Sequence, residues 1–179
     1  DKASKAHLKI GGLHADGNAT EAFAHFEEGY TIARHANLPY RQAEILIQWA
    51  TTLLYQMSID KANEKIELGR TIINAIDAPE LEFLLRNAET LYYARKGDSH
   101  RAISLYQAQI EYAEQHGQTE QQIRLCNNLG LTYMWMGELS KARQTYLQAK
   151  ELCLAIRNRM HLLSIQNNLG IVNLSLGEY

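Results

Sequence analysis

The chain has 179 residues, of which 46% are hydrophobic, so it excludes a disordered tail and has the means to build a packed core. Its 18 basic and 20 acidic residues give a formal charge of −2 and are scattered without a block of one sign, which leaves no basic stripe for nucleic acid. No apolar run approaches the roughly 18 residues of a membrane span, and the opening DKASKAHLKIGG lacks the apolar centre of a secretory signal, so a cytoplasmic protein without membrane contact is expected.

Only two prolines interrupt a chain rich in Ala, Leu, Gln and Glu, which favours helix throughout and an all-α fold. The first apolar-periodic segment ends at Gly17-Asn18, with Glu21 placed to cap the next helix, and Ala22 and Phe26 follow. Pro39 opens a second pair of segments, divided at Met57 and followed by Ala62 and Ile66. Pro79 opens a third, divided at Gly97-Asp98 and followed by Ala102 and Tyr106; at a helix start the missing N–H of proline does no harm. Thr119 with Gln122 has the spacing of a capping box for a fourth pair, divided at Gly137-Glu138 and followed by Ala142 and Tyr146. A fifth segment runs to Gly177-Glu178.

These landmarks form one grid. Gly17, Met57, Gly97, Gly137 and Gly177 are 40 residues apart, and four residues before each node stand Leu13, Leu53, Tyr93, Tyr133 and, breaking the apolar pattern, Asn173. The period predicts repeats over 1–38, 39–78, 79–118, 119–158 and an incomplete 159–179, each made of two helices of roughly 16 residues joined by a tight turn. The alanines supply the close approach that two crossing helices need, and the aromatic or aliphatic residue one turn later covers the same face. A single pair leaves half its apolar surface bare, so neighbouring pairs must stack into one solenoid domain. The last repeat lacks its second helix, so the grid predicts a piece of a longer protein, with Leu169 and Leu174 uncovered and available for self-association.

NNLGLTYMWMGELSKARQTYLQAKEL, from Asn127 to Leu152, resembles a tetratricopeptide repeat, with Leu129, Gly130, Tyr133, Gly137, Ala142, Tyr146 and Ala149 at the family's signature positions. NNLGIVNLSLGEY, from Asn167 onward, repeats its first half. The earlier units depart from the pattern, with Ala50 and Thr90 at the signature glycine, Glu89 at an apolar place and Gln109 replacing the last small residue. The 40-residue spacing exceeds the usual 34 and is similar to long variants in bacterial regulators. The resemblance implies a right-handed α-α superhelix of about four and a half antiparallel helix pairs. Its inner groove, lined by the first helix of each pair, would bind a protein or peptide. It also implies an alternative, a regulatory or sensor segment of a multidomain bacterial transcription activator, sensor kinase or diguanylate cyclase.

Helical spacing in the fourth unit puts Arg124, Asn127, Leu131 and Met134 on one face, with Asn128 and Trp135 beside them. The corresponding residues are Leu84, Asn87, Leu91 and Arg95 in the third unit and Ser164, Asn167, Asn168 and Ile171 in the fifth. Asn87, Asn127 and Asn167 make a ladder on the grid, and amides offer both donors and acceptors to the main chain of an extended peptide. The competing reading has these amides serving helix ends or solvent. Tyr55, Met134 and Trp135 read either as groove anchors or as packing between repeats.

No catalytic, cofactor or metal role is expected. The seven histidines form no His-Glu-x-x-His pattern, none pairs with a cysteine at ligand spacing, and no glycine-rich phosphate loop occurs. His7 and His14 share a helix face and read as surface histidines. Cys126 and Cys153 lie in apolar helical contexts and read as two free buried thiols, with a disulfide between them as the alternative.

Overall fold

The computed structural model describes residues 2–14 and 19–177, with the backbone alone for residues 10–14 and 19. Among the described residues there are nine helices and no strand. They are α1 (Lys2–His14), α2 (Ala19–His35), α3 (Pro39–Tyr55), α4 (Ile59–Ile73), α5 (Pro79–Lys96), α6 (Ser99–Gln115), α7 (Thr119–Trp135), α8 (Leu139–Ala155) and α9 (Arg159–Leu176). The all-α fold is therefore as expected, most of the helices running slightly longer than 16 residues.

The punctuation follows from backbone chemistry. Pro39 and Pro79 are the first residues of α3 and α5. At the turns that follow α3, α5, α7 and α9, Met57, Gly97, Gly137 and Gly177 all have positive φ, of 58°, 94°, 76° and 76°. Glycine reaches this region without a Cβ penalty, whereas Met57 is held there against its preference. A second set of nodes ends the second helices, at Asn37, Gly117 and Arg157 with φ of 52°, 65° and 55°. Asp77 does not join them, because α4 stops at Ile73 and a longer turn leads into α5, with Ala78 buried within it.

Side-chain caps form at the starts of α6 and α9. Asp98 accepts a hydrogen bond from the Arg101 N–H at 3.4 Å, and Asn158 accepts from the His161 N–H at 3.1 Å. The capping box at Thr119 does not: Thr119 is already the first residue of α7, and Gln118 holds the cap position without a side-chain bond. Gly17-Asn18, Glu178 and the side chains of Leu13 and His14 lie outside the described residues.

The helices gather into two compact units, Asp1–Lys96 and Gly97–Tyr179, divided at the Gly97 node inside the third repeat. In the first unit, Ala62 and Ile66 of α4 are buried against Leu53 and Leu54 of α3 and Leu81, Leu85, Ala88 and Leu91 of α5. Ala22 and Phe26 of α2 do the same beside Ile45 of α3. Glu89, at a place where the repeat pattern is apolar, is bonded to Arg70 of α4 at 2.9 Å, so an ion pair replaces the usual packing there. In the second unit Ala102, Tyr106, Ala142 and Tyr146 are completely buried. Gly130 of α7 faces Tyr146 of α8 so closely that a Cβ would stand 2.6 Å from the ring carbon Cε1. That contact is the physical demand behind the signature glycine.

Cys126 and Cys153 are both free and buried. Burial, helped by the Glu114 carboxylate, pushes the Cys126 thiol up to about 12. At the far end of the second unit Leu169 is buried, contrary to the expectation that it is uncovered, because α8 already covers that side of α9; Leu174 is 62% exposed. None of the described helices is long and apolar enough to cross a membrane.

Candidate functional site on the α7 and α9 face

The second unit brings the first helices of the fourth and fifth repeats, α7 and α9, into contact. α7 packs against α6 and α8, and Ile123, Cys126, Leu129, Gly130 and Tyr133 are among its buried residues. What remains is a stripe one helical face away, and Arg124, Asn127, Leu131 and Met134 on it are all half-buried. On α9 the residues Ile165, Leu169 and Val172 are buried, while Asn167 and Ile171 are exposed and Asn168 is half-buried.

Polar links tie these helices together. The Asn168 Nδ2 donates to Asn127 Oδ1 at 2.9 Å. Nearer the helix starts, Asn158 Nδ2 donates to Glu120 Oε1 at 3.4 Å, and His161 lies where Arg124 and Glu120 act on it electrostatically. Burial first, and the Arg124 charge second, hold the His161 imidazole below its ordinary value, with Glu120 partly opposing. The Arg124 Nε is itself buried and meets no acceptor among the described residues. A buried donor left unmade costs free energy that an incoming carbonyl or carboxylate oxygen would recover.

Two of the residues expected to bind are interior. Asn128 is only 8% exposed, because the buried stripe of α7 extends past the signature positions through Leu125, Asn128 and Thr132. Leu91 is 1% exposed, since α5 packs against both α3 and α4 and continues the stripe Leu81, Leu85, Ala88 through it. Burial leaves Leu91 almost no surface, and Asn128 little, to offer a partner. Asn87, Leu84 and Arg95 of α5 are half-buried, and Ser164 of α9 is exposed. Tyr55 is 44% exposed beneath the Arg95 guanidinium, 5.8 Å from its ring, and Trp135 is 40% exposed. Spacing alone did not reveal the Asn127 to Asn168 link, which joins positions 41 apart; two consecutive asparagines in each of these repeats were its only signal. The first unit also carries a hollow of about 270 Å³ lined by Leu38, Pro39, Tyr40, Arg41, Ile76 and Asp77, formed where the α2–α3 and α4–α5 turns meet.

No family model and no curated protein matches the chain. Solved structures do. The chain aligns over 97% of its length with a Signal Transduction ATPase with Numerous Domains protein from Pyrococcus horikoshii that carries a tetratricopeptide repeat sensor, at a TM-score of 0.68 and 17% identity. It spans 26% of that protein. It also aligns over 98% of its length, and 67% of the other chain, with BtubC (BKLC) from P. vanneervenii, at a TM-score of 0.59 and 18% identity. The fold is a tetratricopeptide-like helical repeat. At these identities the likeness extends to the fold and no further.

Proposed function

We propose that the chain is a docking module without catalytic activity, and that the exposed side of α7 and α9 in the second unit receives an extended segment of a protein partner. The observation that carries this reading is the stripe of Arg124, Asn127, Leu131 and Met134, left half-open by a helix whose other faces are occupied, with an unsatisfied Arg124 Nε within it. Beside it, Asn167 and Ile171 of α9 extend the same mixture of amide and apolar groups. The amides would pair with peptide main chain, Arg124 with an acceptor of the partner, and Leu131, Met134 and Ile171 would supply apolar contact.

Selection of peptides from a random library against the immobilised chain tests this, with affinities then measured for the wild type, Asn127→Ala and Arg124→Ala. Binding weakened about tenfold or more by either change supports the α7 and α9 face. Peptides that bind both variants as tightly as the wild type place the site elsewhere.

A second reading, a sensor segment inside a larger regulatory protein, is favoured by the nearly full-length alignment to a protein described as carrying a repeat sensor. The two readings share a surface and differ in the consequence of binding. Finding an ATPase, kinase, cyclase or DNA-binding domain in the same polypeptide, with an output altered by Asn127→Ala, distinguishes sensing from simple docking.

A further inference from the structure

In the first unit, α1 and α2 bring together three side chains that the sequence keeps 18 and 21 residues apart. His7 of α1 places its Nδ1 3.1 Å from the Nδ1 of His25 and 3.6 Å from the Glu28 Oε2, both on α2. The candidate ligand atoms of the three all lie within 4.8 Å of one another. His25 and Glu28 are one helical turn apart and share a face of α2. The two imidazoles are tilted by 39° with centroids 5.3 Å apart, so their Nδ1 atoms are the facing edges of the rings.

The approach of α1 is set by backbone, not by chance side-chain reach. A Cβ on Gly29 of α2 would stand 3.0 Å from the His7 Cβ and 3.5 Å from the Ser4 carbonyl oxygen, and Ser4 is completely buried. Glycine at 29 thus lets His7 settle directly over α2, beside Glu28 and one turn from His25. His7 and His25 are half-buried, and Glu28, at 63% side-chain exposure, leaves the outer side open to water.

We propose that His7, His25 and Glu28 form a binding site for a divalent first-row transition cation, with zinc as the reference ion. Two ligand atoms about 2.0–2.1 Å from a tetrahedral zinc ion are about 3.3 Å apart, which the 3.1 and 3.6 Å separations bracket. Two imidazole nitrogens and one carboxylate suit zinc and its neighbours better than calcium or magnesium, which prefer all-oxygen shells. The remaining coordination position faces solvent and would hold water or a ligand from another molecule. The competing description is a plain hydrogen bond, in which one Nδ1–H donates to the other Nδ1 with Glu28 as a bystander.

Isothermal titration of the full chain with zinc chloride, repeated with cobalt(II) to read coordination from its visible absorption, separates the two. The metal site predicts one saturable zinc per chain and an intense cobalt band of low-coordinate type. It further predicts affinity lowered at least about tenfold by His7→Ala or His25→Ala, lowered by Glu28→Gln, and unchanged by His100→Ala in the second unit. Because Glu28 is exposed, Glu28→Gln leaves the fold intact and carries the test even if a histidine variant unfolds. A wild-type chain with no saturable site, or one whose zinc affinity survives both His25→Ala and Glu28→Gln, overturns the proposal.

Discussion

Replacing Gly130 by alanine probes the packing that defines the fold. The new Cβ would meet the Tyr146 ring at 2.6, 2.7 and 3.0 Å. Tyr146 is completely buried, and its hydroxyl donates to the Met134 Sδ at 3.4 Å, so the ring has little room to retreat. Overpacking of this kind costs about 1–3 kcal/mol, and the fixed ring places this case in the upper part of that range. Alanine's better helix propensity returns about 1 kcal/mol. The net loss is then about 1–2 kcal/mol, or a fall in Tm of about 2–8 °C for a chain of this size. Gly170 occupies the matching position of α9, and a Cβ there meets nothing within 4 Å. Gly170→Ala should therefore stabilise by about 0.5–1 kcal/mol. Thermal melts followed by circular dichroism compare the pair directly. A Gly130→Ala variant as stable as the wild type, or a Gly170→Ala variant that loses stability, would refute the steric account of the signature glycine.

Other outcomes rest on the same packing. Glu89→Gln removes the charge opposite Arg70; with Arg70 38% exposed the loss should stay under about 1 kcal/mol and shrink in high salt, as urea melts at two ionic strengths would show. The Cys126 thiol, pushed up from 9.0 to about 12 because burial disfavours the thiolate, contributes stability that is fully present below pH 9 and is lost as pH rises toward 12. A thiol reagent at pH 8 should accordingly react slowly with the native chain and rapidly with two thiols after denaturation. His161, whose folded value is lowered from 6.5, favours the folded state fully above pH 6.5 and loses that advantage as pH falls through the folded value; His161→Gln should flatten that acidic slope in melts across the range. Asn127→Ala breaks the bond from Asn168 and should cost no more than about 1 kcal/mol in a chemical melt, less than the loss expected in binding.

Much of the fold is written in local spacing. The alanines at 22, 62, 102 and 142 and their partners Phe26, Ile66, Tyr106 and Tyr146 are buried as the grid requires, because a close helix crossing constrains residue size at fixed intervals. Tyr93 is only half-buried at its grid position, and Glu89 hides its role until Arg70 is found beside it, since a charge reads as solvent-facing unless its partner is known. The α7 stripe was legible in outline through the periodicity of Arg124, Asn127, Leu131 and Met134. Leu91 and Asn128 were misplaced because the width of a buried stripe depends on how many neighbours a helix has, which spacing does not encode. The His7, His25 and Glu28 cluster had no sequence signal, since its geometry depends on how α1 crosses α2 at Gly29.

The proposed reception of a partner by the α7 and α9 face is tested most directly by amide chemical-shift mapping. The isotope-labelled chain would be titrated with the tightest peptide obtained by selection. Docking on this face requires the largest shifts at Arg124, Asn127, Leu131 and Met134 of α7 and at Asn167, Asn168 and Ile171 of α9. Shifts confined to the outer faces of α6 and α8, or to the first unit, would contradict it.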